Sequence, residues 1–568
     1  MSKTKPGLFA REATGLVREV GFMLGVIIIM SHVVGLGWQK RAFQFTGPRP
    51  LPTNALPLGL PAIFWAFLIC GIIVMITGYA AGYVTAAMPR SGGGYVTISR
   101  VIHPVVGYNA GWLMFLAEAF SYGLIGVAVF EAIMIFYNIA LAPTVILFDA
   151  TTLFLGGVLI IVIFTALSLF GVRLYGWLMH GMFWPTLIIT IAFFGMWIAG
   201  AMDPTVVATG VEEVMGAPPS TFMTLAIDTG MTDTANVATF YDAFSYALAG
   251  AFWAYMGWYS VTFIAGEVKE ANKKLPMVVL FSGLIIMLIY LGSSSFSAIS
   301  TLGVAETTVG GDKWSFFQAY SWLSYGPLTE AQVVARDAAI PNFQAAWSTG
   351  IASLIARGMG LGWLSWLIAL AGVLWLANDI PPFLLVASRT MFAMSFDRMM
   401  PEKLAEVSER WHSPTWALII TGVFGVVGCL AEANPKVGEI ALGEYVAFAG
   451  VVGTDIYDAT FLILFCMSCM LLALERKEIY DRAAVKHSVG TVVGLGAIAT
   501  LLAGFCLFTF VRESVGFMFS PASTGDLASC LGFWGCIGVG VLLYIYYMYR
   551  NTTKGVDMRT LYLSIPPE

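Results

Sequence analysis

The chain has 568 residues, 58% of them hydrophobic and only 11% charged, with a mean hydropathy of +0.81. Soluble proteins carry about 25% charged residues and the alternating strands of a porin dilute hydropathy, so a soluble enzyme, a disordered chain and a porin are all excluded. The 29 Lys and Arg against 34 Asp and Glu give net −5 and no basic domain, which excludes nucleic acid as a main partner.

In chain order, Met1 to Glu19 is polar and mixed in charge; it is expected to be a cytoplasmic tail (1–19) with no cleavable signal peptide. Apolar runs follow near 20–38, 61–87, 105–139, 150–170, 175–200, 243–265, 276–300, 363–388, 415–431, 445–474, 488–511 and 527–549. These predict an all-α integral membrane protein of about 12 transmembrane helices. With both termini inside, 21 of the 29 basic residues fall on the cytoplasmic side, which predicts a multi-pass cell-membrane protein with both termini cytoplasmic. The stretches 201–241, with five acids and no Lys or Arg, and 301–362 are long enough to be folded external caps. All seven cysteines sit in apolar runs, so they read as packing residues, without a disulfide framework, and no firm metal site is expected.

Spans 1 and 6 share an oddity. Glycines interrupt both near the middle, as Ser31-His32-Val33-Val34-Gly35-Leu36-Gly37-Trp38 and as Gly250-Ala251-Phe252-Trp253-Ala254-Tyr255-Met256-Gly257-Trp258. Matching interruptions five spans apart point to an inverted repeat: 20–200 (spans 1–5) and 242–474 (spans 6–10), then 486–549 (spans 11 and 12) and a cytoplasmic tail, 550–568. The alternative is that these glycines only let helices pack closely.

Three motifs, all on the predicted cytoplasmic side, carry a resemblance. They are Pro89-Arg90-Ser91-Gly92-Gly93-Gly94-Tyr95 with Gly107-Tyr108 and Gly111-Trp112; Ala265-Gly266-Glu267-Val268-Lys269 with Lys273, Lys274 and Pro276; and Ala387-Ser388-Arg389 with Ala393-Met394, Asp397 and Pro401. Together they resemble the signatures of the amino acid–polyamine–organocation (APC) superfamily of permeases, with Phe396 and Arg398 departing from the third. The resemblance implies a LeuT-like 5+5 inverted repeat with broken helices 1 and 6. It also implies that Gly35, Leu36 and Gly37 receive a substrate carboxylate on backbone N–H groups at the positive end of a half-helix. The substrate amine would then meet carbonyls of Val33, Trp253, Ala254 and Met256, with Gly257 and Tyr122 in the same substrate-binding set. Trp253 takes the position of an aromatic gate.

Ionisable residues inside spans are functional candidates by default. Glu118 lies about 16 Å along a helix from Gly107, near mid-membrane, and is either counter-ion to a substrate cation, a proton carrier, or a protonated packing residue. Glu131 points about 220° away and is not expected to share its site. Asp379 stands in Ala377-Asn378-Asp379-Ile380-Pro381-Pro382, where the prolines release the carbonyls of Ala377 and Asn378. That set suits a coupling cation or proton, or else is a kink satisfied by neighbours. His32 is the further proton candidate beside the break; Asp455 and Asp458 are placed in an outer vestibule without a role.

The expected function is secondary active transport of amino acids or related amines by alternating access, as ion- or proton-coupled symport or exchange. The alternative is a permease-like sensor that binds substrate without net transport. No nucleotide-binding or catalytic signature is present, so no catalytic residue is expected, and the partners are a small-molecule substrate and the lipid bilayer. No cofactor is expected beyond a coupling Na+ or H+.

Overall fold

In the computed structural model the chain is described for residues 7–141 and 146–567; residues 1–6 of the expected N-terminal tail and 568 of the C-terminal tail lie outside the described residues. Eleven helices among the described residues are long and apolar enough to cross a membrane. They are span 1 (Phe22–Gln44), span 2 (Ala62–Ala87), span 3 (Pro104–Ala140), span 4 (Ala150–Ser168), span 5 (Arg173–Met202), span 7 (Ala271–Leu302), span 8 (Gly362–Phe396), span 9 (Thr415–Ala433), span 10 (Leu442–Glu475), span 11 (Val489–Val515) and span 12 (Thr524–Thr553). The expected run 243–265 is not one continuous helix. It is a 16-residue helix, Phe240–Tyr255 (span 6), followed by short 3₁₀ turns at Ser260–Phe263 and Ala265–Glu267. The reason is local: Gly257 takes φ of +91°, a left-handed conformation that ends the helix.

Span 1 breaks as well, into Phe22–Val33 and Leu36–Gln44, with Val34 and Gly35 non-helical between them. The packing of the bundle depends on small residues. A methyl group at Gly123 of span 3 would lie 1.8 Å from the Gly425 carbonyl oxygen of span 9, and one at Gly428 would lie 1.9 Å from the Phe120 oxygen, so these two backbones touch.

Both long connections are folded. Residues 201–241 contain helices Pro204–Met215 and Pro219–Asp228. Residues 301–362 hold a hairpin pairing Thr307–Val309 with Asp312–Trp314, then helices Phe316–Tyr325, Glu330–Ala339 and Ser348–Gly358. The last of these is buried from Ser348 to Ala356 and receives the Trp197 indole N–H on the Ser348 carbonyl at 3.0 Å. The five fully buried cysteines pack as expected, while Cys530 and Cys536 are half-buried, and none is in a disulfide.

The three sequence motifs meet on one face, the face that also holds both ends of the described chain. Arg398 donates to the Phe9 carbonyl at 2.8 Å and Arg90 to the Pro566 carbonyl at 2.6 Å. Here Arg389 makes a two-pronged pair with Glu267 (2.9 and 3.1 Å), and Arg100 makes another with Asp397 (2.5 and 2.7 Å). Tyr95 adds a hydroxyl to Asp397 at 2.7 Å. Both pairs are almost fully buried, and they tie the segment after span 6 to span 8 and the end of span 8 to the short helix Gly93–Val101 that precedes span 3. Removing one partner of such a pair strands the other charge, at a cost of about 3 to 5 kcal/mol. Asp397→Asn is therefore expected to lower the midpoint of thermal unfolding in detergent by several degrees, measured by the loss of monodisperse protein on heating.

Candidate functional site

The two breaks face each other. Tyr290 of span 7 sets its hydroxyl between them, hydrogen-bonded to the Val33 carbonyl of span 1 and, at 2.6 Å, to the Ala254 carbonyl of span 6. Gln39 secures the other side of the span-1 break. Its side-chain amide donates to the Gly35 and Gly372 carbonyls, both at 3.2 Å, and its oxygen accepts from Thr349 at 2.8 Å. The Val33 and Ala254 carbonyls at the two breaks thus share a side-chain donor from a neighbouring helix, as a low-dielectric surrounding demands.

Between the breaks lies a narrow cavity of about 40 Å³. Span 1 contributes His32, Val33, Leu36 and Gly37; span 6 and its turn contribute Trp253, Ala254, Met256 and Gly257. Glu118 and Ser121 enter from span 3, Asp379 and Phe383 from span 8, and Thr454, Asp455 and Asp458 from span 10. The first N–H groups of the helix Leu36–Gln44 have no intrahelical partner, and Leu36 and Gly37 bring that end of the helix to the cavity.

Most of the predicted substrate set therefore converges, with specific exceptions. Gly35 lies behind the cavity, where a methyl group would fall 2.2 Å from Asp379 Oδ2. Tyr122 is turned away: its hydroxyl donates to the Ile161 carbonyl at 2.6 Å and meets Thr165 Oγ1 at 2.9 Å, on span 4, and Ser121 takes the cavity position. The carbonyls of Val33 and Ala254, expected to receive an amine, are occupied by Tyr290, and the Trp253 carbonyl accepts the Met256 N–H at 3.0 Å. Of the Ala377-Asn378-Asp379 set only Asp379 reaches the cavity; Asn378 donates instead to Ser31 Oγ at 2.7 Å. Span 8 stays helical through Pro381 and Pro382.

Asp455 and Asp458 require the opposite correction. Both line the cavity rather than an outer vestibule, and Asp458 accepts the Tyr259 hydroxyl from just beyond the span-6 break. Two successive acids one helical turn apart inside an apolar run carried the signal. Glu131 is separate, as expected, and pairs with Lys40 at 3.7 Å.

The electrostatics are one-sided. Glu118, Asp379, Asp455 and Asp458 face one cavity, and its lining includes no Lys or Arg among the described residues. His32 Nε2 lies 3.3 Å from Glu118 Oε2, but the angles do not make a hydrogen bond, and the ring packs edge-on against Phe383 at 4.2 Å between centroids. The Arg41 guanidinium sits 3.8 Å over the Trp253 ring. Among the described residues no group of three or more His, Cys, Asp or Glu has the arrangement of a metal site.

This architecture, a helical bundle with two broken spans around a buried polar cavity, is that of a multi-pass membrane protein of the permease type. The chain belongs to the amino acid permease family, whose model matches residues 21–542. Among its relatives are the b(0,+)-type amino acid transporter 1 of mouse, 23% identical over 270 residues, and a mitochondrial cationic amino acid transporter 3 of Arabidopsis thaliana, 22% identical over 404. The mouse match covers 47% of this chain and 48% of the relative, the Arabidopsis match 69% and 55%. The chain thus spans about half the length of these two relatives. An uncharacterised transporter of Mycobacterium tuberculosis is 21% identical over 437 residues, 76% of this chain and 79% of the relative.

A side chain at Gly37 has no room, because its first carbon would lie 2.6 Å from Ala254 Cβ across the two breaks. Gly37→Val is expected to abolish ligand-induced thermal stabilisation while the purified protein stays monodisperse; ligand stabilisation equal to that of the parent protein would remove the break from the site.

Proposed function

We propose that the protein is a secondary active transporter of amino acids or related amines, working by alternating access with spans 1–5 and 6–10 as inverted halves and both termini in the cytoplasm. The observation that carries this reading is the cavity enclosed between the two broken spans and lined from spans 1, 3, 6, 8 and 10. A site at the junction of two halves is reached from one face or the other as the halves tilt, and the named transporters among the relatives support the assignment.

The ammonium group common to amino acids and amines can meet the carboxylates of the lining, beside the Val33 and Ala254 carbonyls between which the Tyr290 hydroxyl is set. Four carboxylates cannot all stay ionised in so small a buried space without a cation, because each loses its hydration and repels the others. Protons or a substrate cation must fill that role. The reading is therefore proton coupling, with Glu118 as the carrier, His32 beside it and Asp458 opposite, held by Tyr259. The released carbonyls of Ala377 and Asn378 do not line the cavity, so a cation site there is not part of the proposal.

Glu118→Gln keeps the size of the side chain and removes its titration. In proteoliposomes, accumulation driven by a pH gradient is expected to fall about tenfold or more, the scale on which proton-transfer groups act, while exchange of substrate across the membrane without a gradient continues. Undiminished gradient-driven accumulation in the variant would return Glu118 to a packing role.

A further inference from the structure

Span 5 carries a stripe of polar and aromatic residues on the outside of the bundle. Arg173, Gly176, Trp177, His180 and Trp184 recur at helical spacing and share one face, and with Glu19 and Leu24 they line a groove of about 480 Å³. Its floor is a close approach of two helices: a methyl group at Gly176 would lie 3.2 Å from Leu24 Cδ2, in the half Phe22–Val33 of span 1. The groove begins at the face that holds the termini, where the Leu169 carbonyl accepts the Ser413 hydroxyl at 2.8 Å and Val20 pairs with Val268. From Arg173 to Trp184 the helix rises about 16 Å, half the depth of a hydrocarbon core of roughly 30 Å. The groove is therefore one leaflet tall. In its deep part Trp184 gives its indole N–H to His180 Nδ1 at 3.0 Å, and Trp177, 72% exposed, turns its ring to the bilayer. At its rim Arg173 and Glu19 are both exposed. Neither side chain has a hydrogen-bond or ion-pair partner among the described residues, and although they line one groove they do not pair with each other.

We propose that this groove is a binding site for one bilayer phospholipid with a zwitterionic headgroup and a primary ammonium, as in phosphatidylethanolamine. The lipid phosphate takes the Arg173 guanidinium, the ammonium donates to the Glu19 carboxylate, and an acyl chain lies along Leu24, Gly176 and Trp177 toward Trp184. Charge complementarity decides among lipids. A purely anionic headgroup meets Arg173 but sets its charge beside Glu19 and leaves that carboxylate without a donor. A trimethylammonium headgroup matches both charges but has no N–H to give Glu19. A headgroup with a phosphate and N–H donors satisfies both residues at the rim. The consequence falls on the broken span: Leu24 lies in, and Glu19 leads into, the half Phe22–Val33, which the non-helical Val34 and Gly35 separate from Leu36–Gln44. A seated lipid clamps that half to span 5. The inference stands on the groove alone and does not use the transport reading.

Native mass spectrometry of the full-length protein, stripped of lipid and titrated with phospholipids of identical acyl chains, resolves each bound lipid. Phosphatidylethanolamine is expected to bind its first site at least about fivefold more tightly than phosphatidylcholine or phosphatidylglycerol, the scale of one charge contact at a membrane surface. Glu19→Gln is expected to bring phosphatidylethanolamine down to the level of phosphatidylcholine, and Arg173→Gln to weaken both by a similar factor. Both residues are exposed and outside the buried ion pairs, so the unfolding midpoint of the lipid-free variants is expected to match that of the parent protein. Phosphatidylcholine or phosphatidylglycerol binding the parent protein as tightly as phosphatidylethanolamine would overturn the inference, as would the absence of any resolved lipid. A preference for phosphatidylethanolamine that survives in Glu19→Gln, or an affinity unchanged in Arg173→Gln, would place the selective site away from this groove and overturn it equally.

Discussion

A helix broken inside a bilayer exposes backbone N–H and C=O groups where no water can reach them, and each unsatisfied group costs several kcal/mol. The rest of this structure is arranged around meeting that demand twice. Tyr290 bridges the two breaks, with one hydroxyl proton shared between the Val33 and Ala254 carbonyls. Gln39 meets it at Gly35 and reaches on to span 8 and to the buried helix Ser348–Gly358. These bonds fix the distance between the two breaks and so define the cavity. They also shape its chemistry: beside the breaks, the start of one half-helix and a set of carboxylates line the cavity.

Buried charge is handled in two opposite ways in the same molecule. On the face that holds the termini, Arg389 with Glu267 and Arg100 with Asp397 form closed, two-pronged pairs in which each charge has its partner. In the cavity, Glu118 and Asp379 have unpartnered oxygens, and the only basic ring at hand, His32, is not hydrogen-bonded. Paired charges hold elements together and specify their register. Unpaired ones raise the free energy of the empty site, and that free energy is returned when a proton or a cation arrives. The contrast separates the residues that hold the bundle from the residues that work in it.

Much of the fold was legible in the sequence because hydropathy is additive over some twenty residues and survives local uncertainty. The glycines at 35, 37 and 257 were legible for a related reason, since few other residues permit those conformations and contacts. What sequence reasoning missed depends on the rotation of individual side chains. Tyr122 and Ser121 are neighbours on span 3, and only packing against Thr165 and Ile161 decides which one faces the cavity. Asp455 and Asp458 were placed too far out because span 10 begins with the 3₁₀ stretch Leu442–Ala449, which shifts the depth of everything after it. Tyr290 lay in an apolar run where a tyrosine signals a buried hydroxyl in need of a partner, without saying which.

The residues of the family motifs and the residues that line the cavity are different sets here. The motifs that mark the family are those that close the ion pairs on the terminal face: Glu267, Arg389 and Asp397 are motif positions, and none lines the cavity. The cavity is lined instead from spans 1, 3, 6, 8 and 10. The fold is shared with the family, while the charges around the cavity belong to this chain's own lining residues. Four carboxylates with no Lys or Arg among the described lining residues leave that cavity with a one-sided set of acidic groups, and the Arg41 guanidinium stacks outside the lining on the Trp253 ring.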